Sequence, residues 1–434
     1  MATLPLEKIR IVDITEVWAG PMSTSILGDM GAQIVRLESY PRASTGRPPV
    51  APVGGRGLAN QDVNAPRPWD IASGSNMASR NKIGITLDLS RPKGKEVFRR
   101  LVEVSDVVVV GYSAGTMPKL GLDYSVLREW KPDIIMINAP GWGEEGPYQG
   151  YVTLGNGIDA YAGHHLLRGY PDLDATQTRP CVHSDAVVAI TIAFAAMVAL
   201  HYRARTGVGQ WIDLSHAEVL LNHLPWALME YNMNGRVAQP IANRDRRWAP
   251  QGIYPCKGED MWVVISVTSD EEFAALCRAI GRAELLSDPR FADVVSRTHH
   301  HDEIDEIISQ WTRDKDHYDV MNILQGVGVP AGVVMRDYEA FDDPHVKARD
   351  FFETVTHPYA GTHRYPGMLW KYSNTPMSIR LHPPVLGAYN EYVYGDLLGL
   401  SPAEITALKE EGYIGDRYAP DANIDARDRV QAAT

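Results

Sequence analysis

Cysteine is scarce. Only Cys181, Cys256 and Cys277 occur among 434 residues. They are far apart and form no C-x-x-C pair, which excludes a disulfide scaffold or a cysteine-based zinc module and fits reduced thiols. Excess positive charge is also missing. The formal net charge is −12, so neither nucleic acid nor an anionic membrane is expected as a main partner. No basic stretch followed by an apolar one opens the chain, so no signal peptide is expected. The longest apolar run, Ala186–Leu200, falls short of the ~20 residues of a membrane span. There is no internal repeat, and the composition beyond Ala419 reads as a disordered tail. A cytoplasmic protein is expected. The run His299-His300-His301-Asp302 has no matching Cys/His cluster elsewhere, and adjacent histidines cannot converge on one ion. It reads as a solvated loop, His164-His165 reads as structural, and no metal site is expected.

Apolar residues make up 44% of the chain, enough for a packed core, and the length exceeds the usual single domain. The first 150 residues alternate strand and helix patterns. Ile9–Ile14, Gln33–Glu38, Asp106–Val110 and Asp133–Asn138 read as strands, and Met22–Met30 and Lys93–Val104 as helices. Apolar β-rich runs separated by helices predict a parallel, Rossmann-like sheet. Residues 41–78 are rich in Pro, Gly, Ser and Asn and read as a long loop, placed where a lid over a ligand would stand. Composition shifts near 225–250. A strand at Met261–Ser266 and helices at Glu271–Ile280 and Glu303–Trp311 then suggest a smaller α+β domain. The expected division is 1–225 for the first part of a large domain, 226–340 for the small domain, and 341–434 for a further segment that closes on a helix at Pro402–Glu411.

Asp185 stands out. The polar segment Pro180-Cys181-Val182-His183-Ser184-Asp185 passes abruptly into the helical run from Ala186. Ser184 or Asp185 is therefore expected at the helix N-cap or in its first turn. A carboxylate there faces unpaired N–H groups and the positive end of the helix, which favours its ionised, nucleophilic form. Gly141-Trp142-Gly143-Glu144-Glu145-Gly146 formally fits G-x-G-x-x-G. Pro147 follows and two glutamates sit inside the loop, so a dinucleotide site is rejected.

Five separated motifs carry a resemblance. They are Ile9–Pro21 with Leu27–Glu38, Arg80–Leu89, Gly115–Gly121, Asp185 with the helix that follows, and Arg205–Ser215. In this order they resemble the class III CoA-transferases, the CaiB/BaiF type that includes formyl-CoA and carnitine CoA-transferases. The resemblance spans about residues 5–410. It implies that Asp185 attacks an acyl-CoA thioester and that CoA passes from an acyl donor, with succinyl-CoA as a candidate, to a carboxylic acid. It further implies that residues 341–434 rejoin the large domain and that two chains interlock as a homodimer, with a paralogous subunit as an alternative partner. CoA-binding residues implied by motif position are Arg36, Arg80, Asn81, Lys82, Tyr112, Lys119, Gly141 and Trp142. CoA is substrate and product, and no cofactor is expected.

Departures from the family's formyl-CoA branch bear on the substrate. Glu16 and Trp18 replace a His and a Gln that contact a small acyl group there, so Glu16, Trp18 and Ala19 are expected to line an acyl pocket. The cluster Arg244, Arg246, Arg247 opens the small domain, and Arg246 and Arg247 are candidates to clamp a second carboxylate. A dicarboxylic or bulky acid is the expected acceptor. Two rival readings are an acyl-CoA racemase of the same fold and a CoA-binding subunit without catalysis. The racemase would need a His after Gly146-Pro147, and residues 148–155 contain none.

Overall fold

The structure, a computed structural model, describes residues 4–44, 46–47, 66–179 and 181–419. Part of the expected lid (48–65), Pro180 and the expected tail lie outside the described residues. The chain folds as two units: Met1–His164, Pro180–Gly235 and Asp350–Thr434 form the first, and His165–Arg179 with Arg236–Arg349 form the second. The small unit thus starts and ends about ten residues later than the 226–340 expected from composition, and it takes in 165–179 as well.

The first unit is built on a six-stranded sheet: β1 (Arg10–Ile14), β2 (Gln33–Glu38), β3 (Lys82–Thr86), β4 (Val107–Val110), β5 (Ile135–Asn138) and β6 (Trp211–Asp213). All pairings are parallel and the order is β3-β2-β1-β4-β5-β6, the doubly wound arrangement of Rossmann-like folds. The inner strands are buried along nearly their whole length because helices cover both faces, and β4 is an unbroken valine run. Val12, Ile14, Val108, Val110 and Met136 pack on one face with Phe98 and Leu101 of the helix Pro92–Glu103. Ile11, Val107, Val109, Ile135 and Ile137 pack on the other with Ile26 and Leu27 of the helix Ala19–Asp29 and with Val188, Ile192 and Ala196 of the helix His183–Thr206. By length and apolarity this last helix could cross a membrane, but half of its apolar stretch is buried in this core.

The second unit has an antiparallel sheet of β7 (Gln251–Pro255), β8 (Trp262–Ser266) and β9 (Ala331–Val334). Phe273, Leu276, Ile304, Ile308 and Leu324 from its helices complete a separate core. The His299–His301 run is the junction of two helices rather than a solvated loop: His299 ends one, His300 makes the turn and His301 begins the next. His301 is buried and its Nε2 accepts the Gln251 N–H at 3.1 Å.

The chain then returns to the first unit with a hairpin, β10 (Phe352–His357) and β11 (Gly361–Pro366). Beyond it, the segment 381–415 seals the free edge of β3. Asn81 N–H donates to the Leu381 carbonyl, Tyr389 N–H to the Gly84 carbonyl and Tyr394 Oη to the Thr86 carbonyl. An open edge strand would otherwise expose unpaired backbone groups. The loop expected at 41–78 is partly ordered by a helix at Ser73–Ala78 and by Asp70, which binds both Arg47 and Arg67.

Candidate active site

Strands β1 and β4 are neighbours, but the helices that follow them lie on opposite faces of the sheet. A crevice therefore opens at their C-terminal ends, the position where open α/β sheets bind ligands. The loops after β1 (Glu16–Gly20), β4 (Gly111–Ala114) and β5 (Ala139–Gly141) line a cavity of about 420 Å³ there. Gly46, Gly74 and Met77 from the expected lid segment also line it. Val17 and Val182, both β-branched and both on its wall, hold positive φ of 68° and 51°. Such strain costs about 1–3 kcal/mol each and gathers at functional sites.

Asp185 lies in this wall as the third residue of its helix. The helix start differs from the expectation in one respect. The N–H groups of His183 and Ser184 both donate to Asp159 at 3.1 Å, so the cap comes from a carboxylate distant in sequence. The Ser184 hydroxyl donates to the Gly155 carbonyl at 3.0 Å. Asp185 receives the Ala19 N–H instead, which favours its ionised form. Burial, and after it the negative charge of Asp159, outweigh that bond and push the Asp185 carboxyl up to about 6. Gly155 packs directly under the carboxylate, and a Cβ at 155 would collide with Asp185 Oδ2 and with Val182.

Two further wall groups shape the electrostatics. His216 is pushed down to about 4 by burial, with a hydrogen bond to the Ala139 carbonyl opposing the shift, so its ring is neutral at physiological pH. Glu16 is paired with Arg42, and Tyr112 also engages Arg42. Arg42, Tyr112, Ser113 and Thr116 help line a second cavity of about 430 Å³ beyond the ends of β2, β3 and β4, and Tyr112 and Ser113 border both cavities.

Of the residues expected at the site, the cavities bring together Asp185, Glu16, Trp18, Ala19, Tyr112 and Gly141. Four expected CoA contacts lie in the core and line neither cavity. Arg36, Arg80, Asn81 and Lys82 are 1–3% exposed and satisfy buried partners. Arg36 binds Ser79 and Glu38. Arg80 and Asn81 both reach Asp29 at 2.7 Å. Lys82 Nζ lies 2.8 Å from Asp13 and 2.8 Å from the Thr24 hydroxyl. An ion inside a core must be paired, and these side chains are engaged in that way. Lys119 is exposed on the helix Thr116–Leu120 and Trp142 packs edge-on against Tyr148 and Tyr161; neither lines either of these two cavities. Arg246 and Arg247 belong to the second unit, where Arg247 pairs with Asp245 and Arg244 with Asp302 and Asp305. Sequence reasoning missed Arg42, Gly155, Asp159 and His216. The position of Arg42 just past a strand end was the one available signal.

Comparison with known proteins agrees with this architecture. A family model for CoA-transferase family III matches residues 6–390. The chain is 31% identical over 410 residues to succinyl-CoA–D-citramalate CoA-transferase of Chloroflexus aurantiacus, covering 94% of this chain and 98% of that one. It is 30% identical over 414 residues to the beta subunit of succinyl-CoA–L-malate CoA-transferase from the same organism, covering 95% and 98%. A crystal structure of a CaiB/BaiF family protein from Brucella suis superimposes with a TM-score of 0.80 at 27% identity, covering 92% of this chain and 100% of that one. With a parallel sheet of this order and a family match along most of its length, the chain belongs to the class III CoA-transferases.

Proposed function

We propose that the protein moves CoA from an acyl-CoA, with succinyl-CoA as the donor, to a second carboxylic acid through an anhydride on Asp185. The observation that carries this reading is a carboxylate held in the wall of the crevice between β1 and β4, with a backbone N–H directed at it and a glycine beneath it. The Asp185 oxygen attacks the thioester carbon and CoA leaves as thiolate. The acceptor carboxylate attacks the aspartyl carbonyl of that anhydride, the donor acid leaves, and a second anhydride remains on Asp185. The CoA thiolate attacks its acyl carbon, which restores the thioester and frees Asp185. Each covalent step conserves the thioester's activation in an anhydride, and the relay needs no cofactor besides CoA. Succinyl-CoA is named as donor in both Chloroflexus relatives, which supports it here.

The two cavities that meet at Tyr112 and Ser113 suit one extended CoA molecule. Its nucleotide end would take the cavity lined by Arg42, and its thioester would reach Asp185. Arg42 supplies a charge for phosphate; the basic CoA contacts expected from the sequence were Arg36, Arg80, Lys82 and Lys119.

A second chain of this family is the proposed partner. The outer face of the helix His183–Thr206 exposes Ile190, Phe194, Val198 and Tyr202 at four-residue spacing. An apolar stripe of that kind marks a protein contact. The test of the whole reading is Asp185→Ala. It should abolish transfer between succinyl-CoA and acceptor acids while CoA still binds. Wild-type enzyme quenched with hydroxylamine during turnover should yield a hydroxamate on the Asp185 peptide. Substantial transfer by the variant would sink the covalent route.

A further inference from the structure

We infer that Asp159, His164 and Cys181 form a binding site for a divalent transition-metal cation of the zinc type, at the neck from which residues 165–179 leave the first unit. The three donors come from separate places in the chain. Asp159 lies on the helix Gly155–Tyr161, His164 is the last residue before the chain departs, and Cys181 stands just after it returns. One ligand atom from each lies within 4.8 Å of the other two. His164 Nδ1 is 3.9 Å from Cys181 Sγ and 3.9 Å from Asp159 Oδ1. Tetrahedral zinc with ordinary Zn–S, Zn–N and Zn–O bonds holds such atoms about 3.5 Å apart, so the two His164 distances need to shorten by a few tenths of an ångström and the Asp159–Cys181 pair, within 4.8 Å, by about 1 Å at most.

The chemistry of the donors selects the ion. A thiolate beside an imidazole disfavours hard cations such as magnesium or calcium and suits zinc or cobalt. Asp159 is fully buried and each of its oxygens already accepts one backbone N–H, from His183 or from Ser184. Those bonds fix the carboxylate and leave each oxygen a further lone pair. Cys181 is exposed, so an ion has a path to the donors. The His183 ring, 5.3 Å from that of His164, is a further imidazole beside the set. Three protein ligands with an open fourth position is an ordinary zinc arrangement. The bound ion would tie together the two roots of the 165–179 excursion, four residues ahead of Asp185, and so hold the entry to the nucleophile's helix. Closing a flexible segment in this way limits its freedom without altering its sequence.

The probe is Co(II) added to reduced enzyme stripped of metal with EDTA. The expected result is about one ion per chain with a thiolate-to-cobalt charge-transfer absorption. Cys181→Ser should abolish that absorption. Cys181→Ser and His164→Ala should each weaken Zn(II) affinity by about tenfold or more. Asp185→Ala should leave both measurements unchanged, and circular dichroism checks that each variant is folded. Absence of the absorption in wild-type enzyme, its persistence in Cys181→Ser, or equal Zn(II) affinity in wild type and both site variants overturns the assignment.

Discussion

Asp185 is buried and lies in the field of a second carboxylate, Asp159, so on the proposed route its ionisation sets the acid side of catalysis. Its carboxyl is pushed up to about 6. The proposed attack requires the carboxylate form, so kcat/KM for the acyl-CoA should fall as pH drops through about 6. Asp159→Asn removes the neighbouring negative charge and should move that fall to lower pH, measured with EDTA present. A fall that stays in place would show that burial alone sets it. Gly155→Ala should destabilise the fold by about 1–3 kcal/mol through overpacking and lower kcat steeply, because its Cβ meets the carboxylate itself. Denaturant unfolding and steady-state rates check both effects. Arg42→Gln should weaken CoA binding in calorimetry with little loss of stability, since Arg42 is half-exposed. Asp185 was legible in the sequence because a helix start inside a motif frame is local information. Gly155, Asp159 and His216 were not, because their roles come from contacts across tens of residues that no local pattern records.

The elements show why three basic residues expected at CoA, Arg36, Arg80 and Lys82, lie in the core instead. Lys82 begins β3 and Arg36 lies within β2, so the parallel sheet buries both, and Asp13 on β1 is there to receive Lys82. The Asp13 carboxyl is held below its ordinary range by Lys82 and Arg36 against the opposing effect of burial. Lys82→Met strands that charge in the core and should cost about 3–5 kcal/mol, seen as a large drop in the unfolding midpoint. A change confined to CoA affinity would instead restore Lys82 as a ligand. The sheet itself was legible. Gln33–Glu38 has the bounds read from its sequence, and Val107–Val110 differs by one residue. An unbroken valine run such as Val107–Val110 leaves little alternative to a strand covered on both faces. The order of the strands and the partners of the buried cations depend on tertiary packing, which periodicity does not carry.

At the scale of the molecule, the acidic surface and the apolar stripe Ile190, Phe194, Val198, Tyr202 pull in opposite directions. Phe194→Glu with Val198→Glu should convert an assembled enzyme to single chains in light scattering; a wild type that is already monomeric removes the proposed partner. The sealing of β3 by residues 381–415 carries a further consequence, for biosynthesis. As the nascent chain leaves the ribosome, all six strands of the parallel sheet emerge with the β3 edge still open. The whole of Arg236–Arg349 must then be made before the covering segment appears. That intervening stretch has its own core and can fold on emergence, whereas the first unit must wait in a state with a naked strand edge. Such edges recruit other chains. Ribosome-stalled chains ending near residue 350 should therefore bind a holdase chaperone, and chains extended past Gly415 should release it.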